Sequence, residues 1–502
     1  MRPDLIDRKE LSGYFQQRET PMGTYKRTAL VNVRVESRQR IPIGMLTLAA
    51  CVKDITKTVV FDPDPDDAQF RDIVDFNPDL IGLGFMTQTG FRAKQIYDML
   101  RAKLPAAKIV LGGVGPTVEK EAVFERFKPD GLVVGEGEKA MRRIVSGEPL
   151  ESVPGVYLPG VPFRPAEFFQ NLDDLPLPAY ECMPDFEKYL CPPGGIRGKW
   201  YDRGTPMIMT GRGCPYRCTF CSSHLMFGRC VRRRSVASVL SEIRRLHDEY
   251  GVDAVYFFDD TFNAPPSWAR QFCEELLKEP YRLEWGCQIR VNTFNAELGK
   301  LMKRAGCVQV DIGVESGSPK VLKAIHKDET VEQVEAAFAA CHEVGLAPMG
   351  TFLVGCPEET MEDVELTRLL VRRIKPSFSE FFYLIPYPGS DLYDEAVRNG
   401  WFVDRSYEGR GMVDRPVMEI NFTRDQQREI RRRYFELVAF RNLKGYLSPG
   451  VLWSALRSVR PMMLAALFRE FAKTRNIRDA MQAYVHALRR YYAERQDAGK
   501  KR

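Results

Sequence analysis

Hydrophobic positions in the first third of the chain come in short, dense runs separated by longer stretches of mixed character. TALVNV (28–33), KTVVFD (57–62), LIGLGF (80–85), KIVLGG (108–113) and GLVVGE (131–136) are β-rich runs. Between them lie MLTLAACVKD, FRDIVDF, FRAKQIYDMLRAKL and VEKEAVFERF, which read as helices. Strands alternating with helices over residues 1–150 predict a doubly wound parallel sheet that binds its ligand at the carboxyl ends of the strands.

The pattern breaks over residues 151–204, where PGVYLPGVPF and NLDDLPLPAY keep no period and predict a linker between domains. It resumes with MIMTGRG (207–213), AVYFFDD (254–260), EWGCQIR (284–290), VQVDIGVES (308–316), APMGTFLVG (347–355) and FSEFFYLIPYPG (378–389) as strands, with helical segments in the gaps. Six βα units in a row predict a partial (β/α)6 barrel over 205–395, its site again at the strands' carboxyl ends. Residues 396–502 predict a mostly helical region with breaks near Pro449 and Pro461.

Composition adds little to this architecture. The chain of 502 residues is 44% hydrophobic and 28% charged, as expected of a soluble protein of two or three domains. No apolar stretch reaches the roughly eighteen residues of a membrane span, and MRPDLIDRKE has no signal-like core, so a cytoplasmic protein is expected. Charge is uneven: residues 424–502 hold 19 Lys and Arg against 7 Asp and Glu. A basic tail raises the question of RNA, but it lacks the aromatic and basic interleaving of a single-strand platform, so nucleic acid is not expected as a partner. RRRYFELVAF (431–440) and PMMLAALFREF (461–471) could instead make peripheral membrane contact.

The candidate chemistry lies in GCPYRCTFCSS (213–223). Of twelve cysteines only Cys214, Cys218 and Cys221 cluster, with the spacing C-x3-C-x2-C. In a reducing compartment such a cluster points to a metal rather than to disulfides. Three thiolates can hold three irons of a 4Fe-4S cluster and leave the fourth open, whereas zinc would ask for a fourth ligand such as His224 or Cys230. Because the loop follows the first barrel strand, the cysteines belong at the barrel mouth.

At these residues the sequence resembles the radical S-adenosylmethionine (SAM) superfamily, whose signature is this cysteine loop with an aromatic residue, here Phe220, before the last cysteine. The resemblance covers residues 205–390 and implies that the open iron binds SAM and that one electron cleaves SAM to a 5'-deoxyadenosyl radical. It also implies SAM contacts at Asp259 and Asp260 in FFDD, at Arg290 in QIRVN, and at Glu315 and Ser316 in GVESG. Acceptors suit the methionine ammonium, a guanidinium its carboxylate, and acidic or hydroxyl groups the ribose. Read without the resemblance, the two aspartates could cap the next helix, and Arg290 and Glu315 could form a rim ion pair.

The first domain resembles the cobalamin-binding domain that precedes the barrel in a large radical SAM subclass, on RIPIGMLTLAACV, LIGLGFMTQT, LGGVGPT and VVGEGE. That resemblance implies a corrinoid cradle at Thr87, Thr89, Gly112, Gly113, Thr117, Gly135, Glu136 and Gly137. Glycines there would allow close backbone approach to a flat ring. Residues 1–223 contain no histidine, so no imidazole from this domain can reach cobalt, and Gly115 stands where the subclass turn often carries His.

Together these resemblances imply a cobalamin-dependent methyltransferase acting on an unactivated carbon of a small molecule, with a 4Fe-4S cluster, SAM and cobalamin as cofactors. An external one-electron reductant such as flavodoxin or ferredoxin would be its partner. Relatives of the same architecture without cobalamin carry out deoxygenation, dehydration, cyclisation or oxidation, which is the alternative.

Overall fold

The computed structural model describes residues 24–34, 41–63, 68–184, 186–190, 196, 204–405, 407 and 415–446. All but Tyr446 belong to one compact unit, Pro21–Arg197 with Tyr201–Gly445. The far C-terminal breaks at Pro449 and Pro461 and the segment 461–471 lie outside the described residues.

The first sheet holds β1 (Arg27–Asn32), β2 (Lys57–Phe61), β3 (Leu80–Gly84), β4 (Lys108–Gly112), β5 (Gly131–Val133) and β6 (Val156–Tyr157), in the order β2-β1-β3-β4-β5-β6. Strands β1 to β5 pair in parallel. The continuous apolar runs follow from this, since a parallel sheet covered by helices buries both faces; every residue of β3 is buried. Strand order reverses between β1 and β3, and a ligand crevice opens at such a switch point beyond the carboxyl ends.

Strand β6 departs from the expectation. It lies in the stretch read as a linker, yet it pairs antiparallel with β5 and closes the sheet edge. Further along that stretch Ala179 and Tyr180 tie the two halves together: Ala179 N–H donates to Leu46 O at 3.0 Å, and Tyr180 OH donates to buried Glu242 at 2.5 Å. Proline and glycine had hidden a packed segment with too few residues per element to show a period.

In the barrel, MIMTGRG does not form one strand. It splits into β7 (Met207–Ile208), which starts the barrel, and β8 (Gly211–Arg212), which pairs antiparallel with β9 (Arg232–Arg233) outside it. The sheet continues through β10 (Ala254–Phe257), β11 (Glu284–Ile289), β12 (Cys307–Glu315), β13 (Ala347–Val354) and β14 (Phe378–Tyr383), each parallel to its predecessor. Polar caps start its helices: Ser235 accepts from Ser238 N–H before Val236–Tyr250, and Thr330 and Gln333 form a capping box before Val331–Val344. Phe257, Phe262, Phe272 and Trp285 are fully buried beneath these helices.

The helix Arg424–Tyr446 turns Ile430, Tyr434 and Val438 into the core, with Tyr434 stacked on Phe381. Within RRRYFELVAF, Tyr434 and Val438 are thus turned onto the barrel.

Candidate active site at the barrel mouth

The cysteine loop is built from its neck outward. Ribbon β8–β9 closes the neck, and Gly213 (φ 89°) passes so near the opposite strand that a Cβ there would lie 2.2 Å from Cys230 O. Cys214 N–H donates to Gly228 O at 3.4 Å and Cys221 N–H to Cys218 O at 3.1 Å. Thr219 ties the loop to the later βα connections, donating to Ile325 O at 3.1 Å and accepting from Leu392 N–H at 2.9 Å. Phe220 packs on the apolar cluster containing Val321, Leu353 and Leu384.

Cys214, Cys218 and Cys221 are free and half-buried. Burial raises the thiol pKa of Cys214 and pushes that of Cys221 up to about 11, helped in the latter by the charges of Asp260, Cys218 and Cys214. Thiols this reluctant to ionise, on one loop and within each other's field, are donors that bound iron would deprotonate. Among the described residues no three Cys, His, Asp or Glu converge as one ion's ligands would; a cluster asks instead that each thiolate meet a different iron. The donor set fits a 4Fe-4S cluster.

Around the loop stand the other sequence-predicted residues. Asp260 is exposed and accepts from Ser223 Oγ at 2.6 Å, its carboxyl raised by the protein packed around it and then by Asp259. Asp259 is 3% exposed and fully engaged: it pairs with Arg233 at 2.6 Å and accepts from the N–H groups of Thr210 at 2.6 Å and Gly211 at 3.2 Å. Ser316 is likewise closed off, its hydroxyl 3.2 Å from that of Thr367 and accepting from Ser318 N–H at 3.1 Å.

Arg290 and Glu315 belong to a buried network that the sequence did not reveal. Arg290 Nε lies 3.0 Å from Glu329, its Nη1 3.9 Å from Cys218 Sγ, and its Nη2 donates to Lys327 O. Lys327 Nζ lies 3.0 Å from Glu315 and 3.6 Å from Glu329. Burial works against the Lys327 charge, but the two carboxylates outweigh it and raise its pKa. Glu315 takes left-handed backbone (φ 62°) at a bulge where β12 slips against β13, which aims its carboxylate at Lys327. Such strain in a non-glycine residue is held by the surrounding structure and is common at functional sites. The signal missed was HKDET (326–330), which reads as an exposed charged turn, whereas Lys327 and Glu329 are each 7% exposed.

At the carboxyl end of the first sheet, three turns pack through glycine. A Cβ on Gly113 (φ 92°) would lie 2.8 Å from Phe85 O. One on Gly115 would lie 2.8 Å from the Phe85 ring, so the ring fills the place a histidine would need. Added Cβ atoms at Gly112, Gly135 and Gly137 would meet neighbouring protein atoms at 3.6, 3.5 and 3.3 Å, and all three glycines are half-buried at the strand ends. Thr89 and Thr117 turn their hydroxyls onto the turns themselves, to Met86 O at 3.1 Å and Gly113 O at 2.8 Å; Thr87 is half-buried beside them. Glu136 is 4% exposed and ion-paired with Arg212 and Arg232. A half-buried rim of four glycines without side chains fits close approach of a flat corrinoid.

The two carboxyl-end faces touch. Gln88 Nε2, after β3, donates to Tyr387 OH, after β14, at 2.7 Å. A family model of the radical SAM superfamily matches residues 208–371, and one of the B12 binding domain matches residues 32–145. An uncharacterized methyltransferase of Pyrococcus horikoshii is 31% identical over 427 residues, covering 82% of this chain and 89% of the relative. The chain belongs to the radical SAM superfamily, in the subclass with a B12-binding domain. As a radical SAM enzyme of this subclass it uses a 4Fe-4S cluster, SAM and cobalamin. It is also 26% identical over 402 residues to the anaerobic magnesium-protoporphyrin IX monomethyl ester cyclase of Rubrivivax gelatinosus, covering 71% of this chain and 70% of that one. Its fold is shared with the radical SAM methyltransferase TsrM of Kitasatospora setae, solved with cobalamin and a [4Fe-4S] cluster, at a TM-score of 0.61, 20% identity and 75% coverage of each chain. No described helix of this radical SAM enzyme is long and apolar enough to cross a membrane.

Proposed function

We propose that this radical SAM enzyme is a cobalamin-dependent C-methyltransferase acting on an unactivated carbon of a small molecule or natural-product intermediate. The observation that carries the reading is the contact between the two carboxyl-end faces, made by Gln88 with Tyr387 and by Glu136 with Arg212 and Arg232. Loops that would hold two different cofactors are thereby held against each other.

In this reading Cys214, Cys218 and Cys221 each hold one iron. Asp260, Arg290 and Glu315 face the polar groups of SAM, with Phe220 packed beneath. Asp259 and Ser316 act from behind, fixing the backbone at Thr210–Gly211 and at Ser318. Gly112, Gly113, Gly135 and Gly137, with Thr87, Thr89 and Thr117, form the corrinoid cradle, and Glu136 braces it. When bound, the cluster and SAM supply a radical that removes a substrate hydrogen, and cobalamin supplies the methyl group that replaces it. The chain's own part is to position these groups and to exclude water. Met86 and Phe258, just beyond β3 and β10, and Leu225, in the helix after the cysteine loop, are 37–40% exposed and would offer apolar surface suited to a radical. A flavodoxin- or ferredoxin-class protein would deliver the electron, and the domain boundaries would fall near 150, 205 and 395.

The test is product analysis on the anaerobically reconstituted chain with SAM and reductant. S-adenosylhomocysteine formed only when cobalamin is present, beside 5'-deoxyadenosine, supports methyl transfer. 5'-Deoxyadenosine alone, equal with and without cobalamin, would favour the cobalamin-independent cyclisation, oxidation or deoxygenation, a reading to which the cyclase relative lends weight.

A further inference from the structure

Four buried charges join the first domain to the neck of the cysteine loop. Arg212 and Arg232 are directly paired across the β8–β9 ribbon, so two guanidiniums leave from one cross-strand position. Arg212 pairs with Glu136 at 3.0 Å and with Glu138 at 2.6 Å, and Arg232 donates to both oxygens of Glu136. Arg232 also donates to the carbonyls of Phe169 at 2.8 Å and Phe227 at 2.9 Å and lies 4.8 Å from the ring centre of Phe168. All four residues are between 4 and 9% exposed. Two positive and two negative charges balance, and loss of any one would strand another in the interior.

Glu136 sits between Gly135 and Gly137 in the turn that forms one side of the glycine cradle, while the ribbon it clamps is continuous with Gly213 and Cys214. One carboxylate therefore touches the frame of both cofactor sites.

We infer that Glu136 is a positioning residue that couples the two sites: through Arg212 and Arg232 it holds the cysteine loop against the glycine turn, so that cluster loading and cobalamin binding favour one another. Ordering either side lowers the cost of ordering the other, and linkage makes the effect reciprocal. The inference rests on the reading that the first domain holds cobalamin.

The test compares hydroxocobalamin binding, followed by absorbance, to the full chain before and after anaerobic iron and sulfide reconstitution. Reconstituted wild type is expected to bind about fivefold or more tightly than the iron-free form. In Glu136→Gln that ratio falls below about twofold, whatever the affinity of its iron-free form. Because this change takes the carboxylate partner from buried Arg232 while Arg212 keeps Glu138, the double variant E136Q/R232Q, which removes one charge of each sign, guards against misfolding; it is expected to lose the coupling equally. Equal affinity of wild type with and without its cluster, or undiminished coupling in the double variant, overturns the inference. Failure of both wild-type forms to bind corrinoid overturns the underlying reading instead.

Discussion

The guanidinium carbon of Arg290 lies 3.5 Å from the ring centre of Tyr216, the residue midway between Cys214 and Cys218. A residue at the end of the third barrel strand thus supports the cysteine loop directly, through a cation–π contact and through its approach to Cys218.

This contact separates two substitutions that the sequence alone would treat alike. Arg290→Ala removes a support of the loop and leaves buried Glu329 with the Lys327 charge and the Val291 N–H, so iron content and SAM affinity are both expected to fall. Glu315→Ala leaves Lys327 paired with Glu329 at 3.6 Å, so iron stays near wild type while SAM binding weakens by about tenfold, ~1.4 kcal/mol. Iron assay and equilibrium dialysis with SAM distinguish them. Unchanged SAM affinity in both variants would leave the pair a structural role.

Replacing Cys214, Cys218 and Cys221 together by Ala removes three half-buried thiols without stranding a charge. The chain should still fold, with its far-ultraviolet spectrum kept and its iron–sulfide absorbance lost, and it should form no 5'-deoxyadenosine with reductant. Continued formation would remove the cluster from this loop.

The glycine cradle gives a second contrast. A side chain at Gly113 would collide with Phe85 O, 2.8 Å from its Cβ, so Gly113→Val is expected to lower the melting temperature and with it both corrinoid and iron. Gly135 has φ 82° but only the side chains of Ala166 and Phe168 near, at 3.5 and 3.7 Å. Gly135→Ala should cost about 1 kcal/mol in backbone strain and lower corrinoid retention while iron content holds. Equal loss of both cofactors in the two variants would sink the distinction.

What was legible in the sequence was whatever repeats or clusters locally. Parallel strands announce themselves as apolar runs, and the three cysteines lie within eight residues, 214 to 221. What stayed hidden was charge placed by tertiary contact. Three consecutive arginines, Arg232, Arg233 and Arg234, look like a solvated run, yet each is paired with a different acid, Glu136, Asp259 and Glu242, that is at most 4% exposed. Extended backbone turns alternate side chains to opposite sides, and partners as far away as residue 136 cannot be seen from residue 232. The same limit hid Lys327 and Glu329, and it hid the two arginines that hold Glu136.

Glu359, in the loop after β13, supplies a pH prediction. Its carboxyl is 1% exposed, and burial raises its pKa to about 7, although the N–H groups of Gly355 at 2.7 Å and Cys356 at 3.1 Å partly offset the rise by donating to it. The folded protein keeps this proton where the unfolded chain, with an ordinary carboxyl, has released it. Between about pH 4.5 and 7 the native state therefore binds one proton more, so this contribution to stability is complete at the acid end and declines as pH rises to about 7. A shift of this size corresponds to a stabilisation on the order of 3 kcal/mol below the window. Glu359→Gln keeps an acceptor for both N–H groups and cannot titrate, so its denaturant midpoint should vary less between pH 5 and 8 than that of wild type, with the largest gain in relative stability at pH 8. Parallel pH profiles for the two proteins would show that Glu359 is ionised in the fold across the whole range.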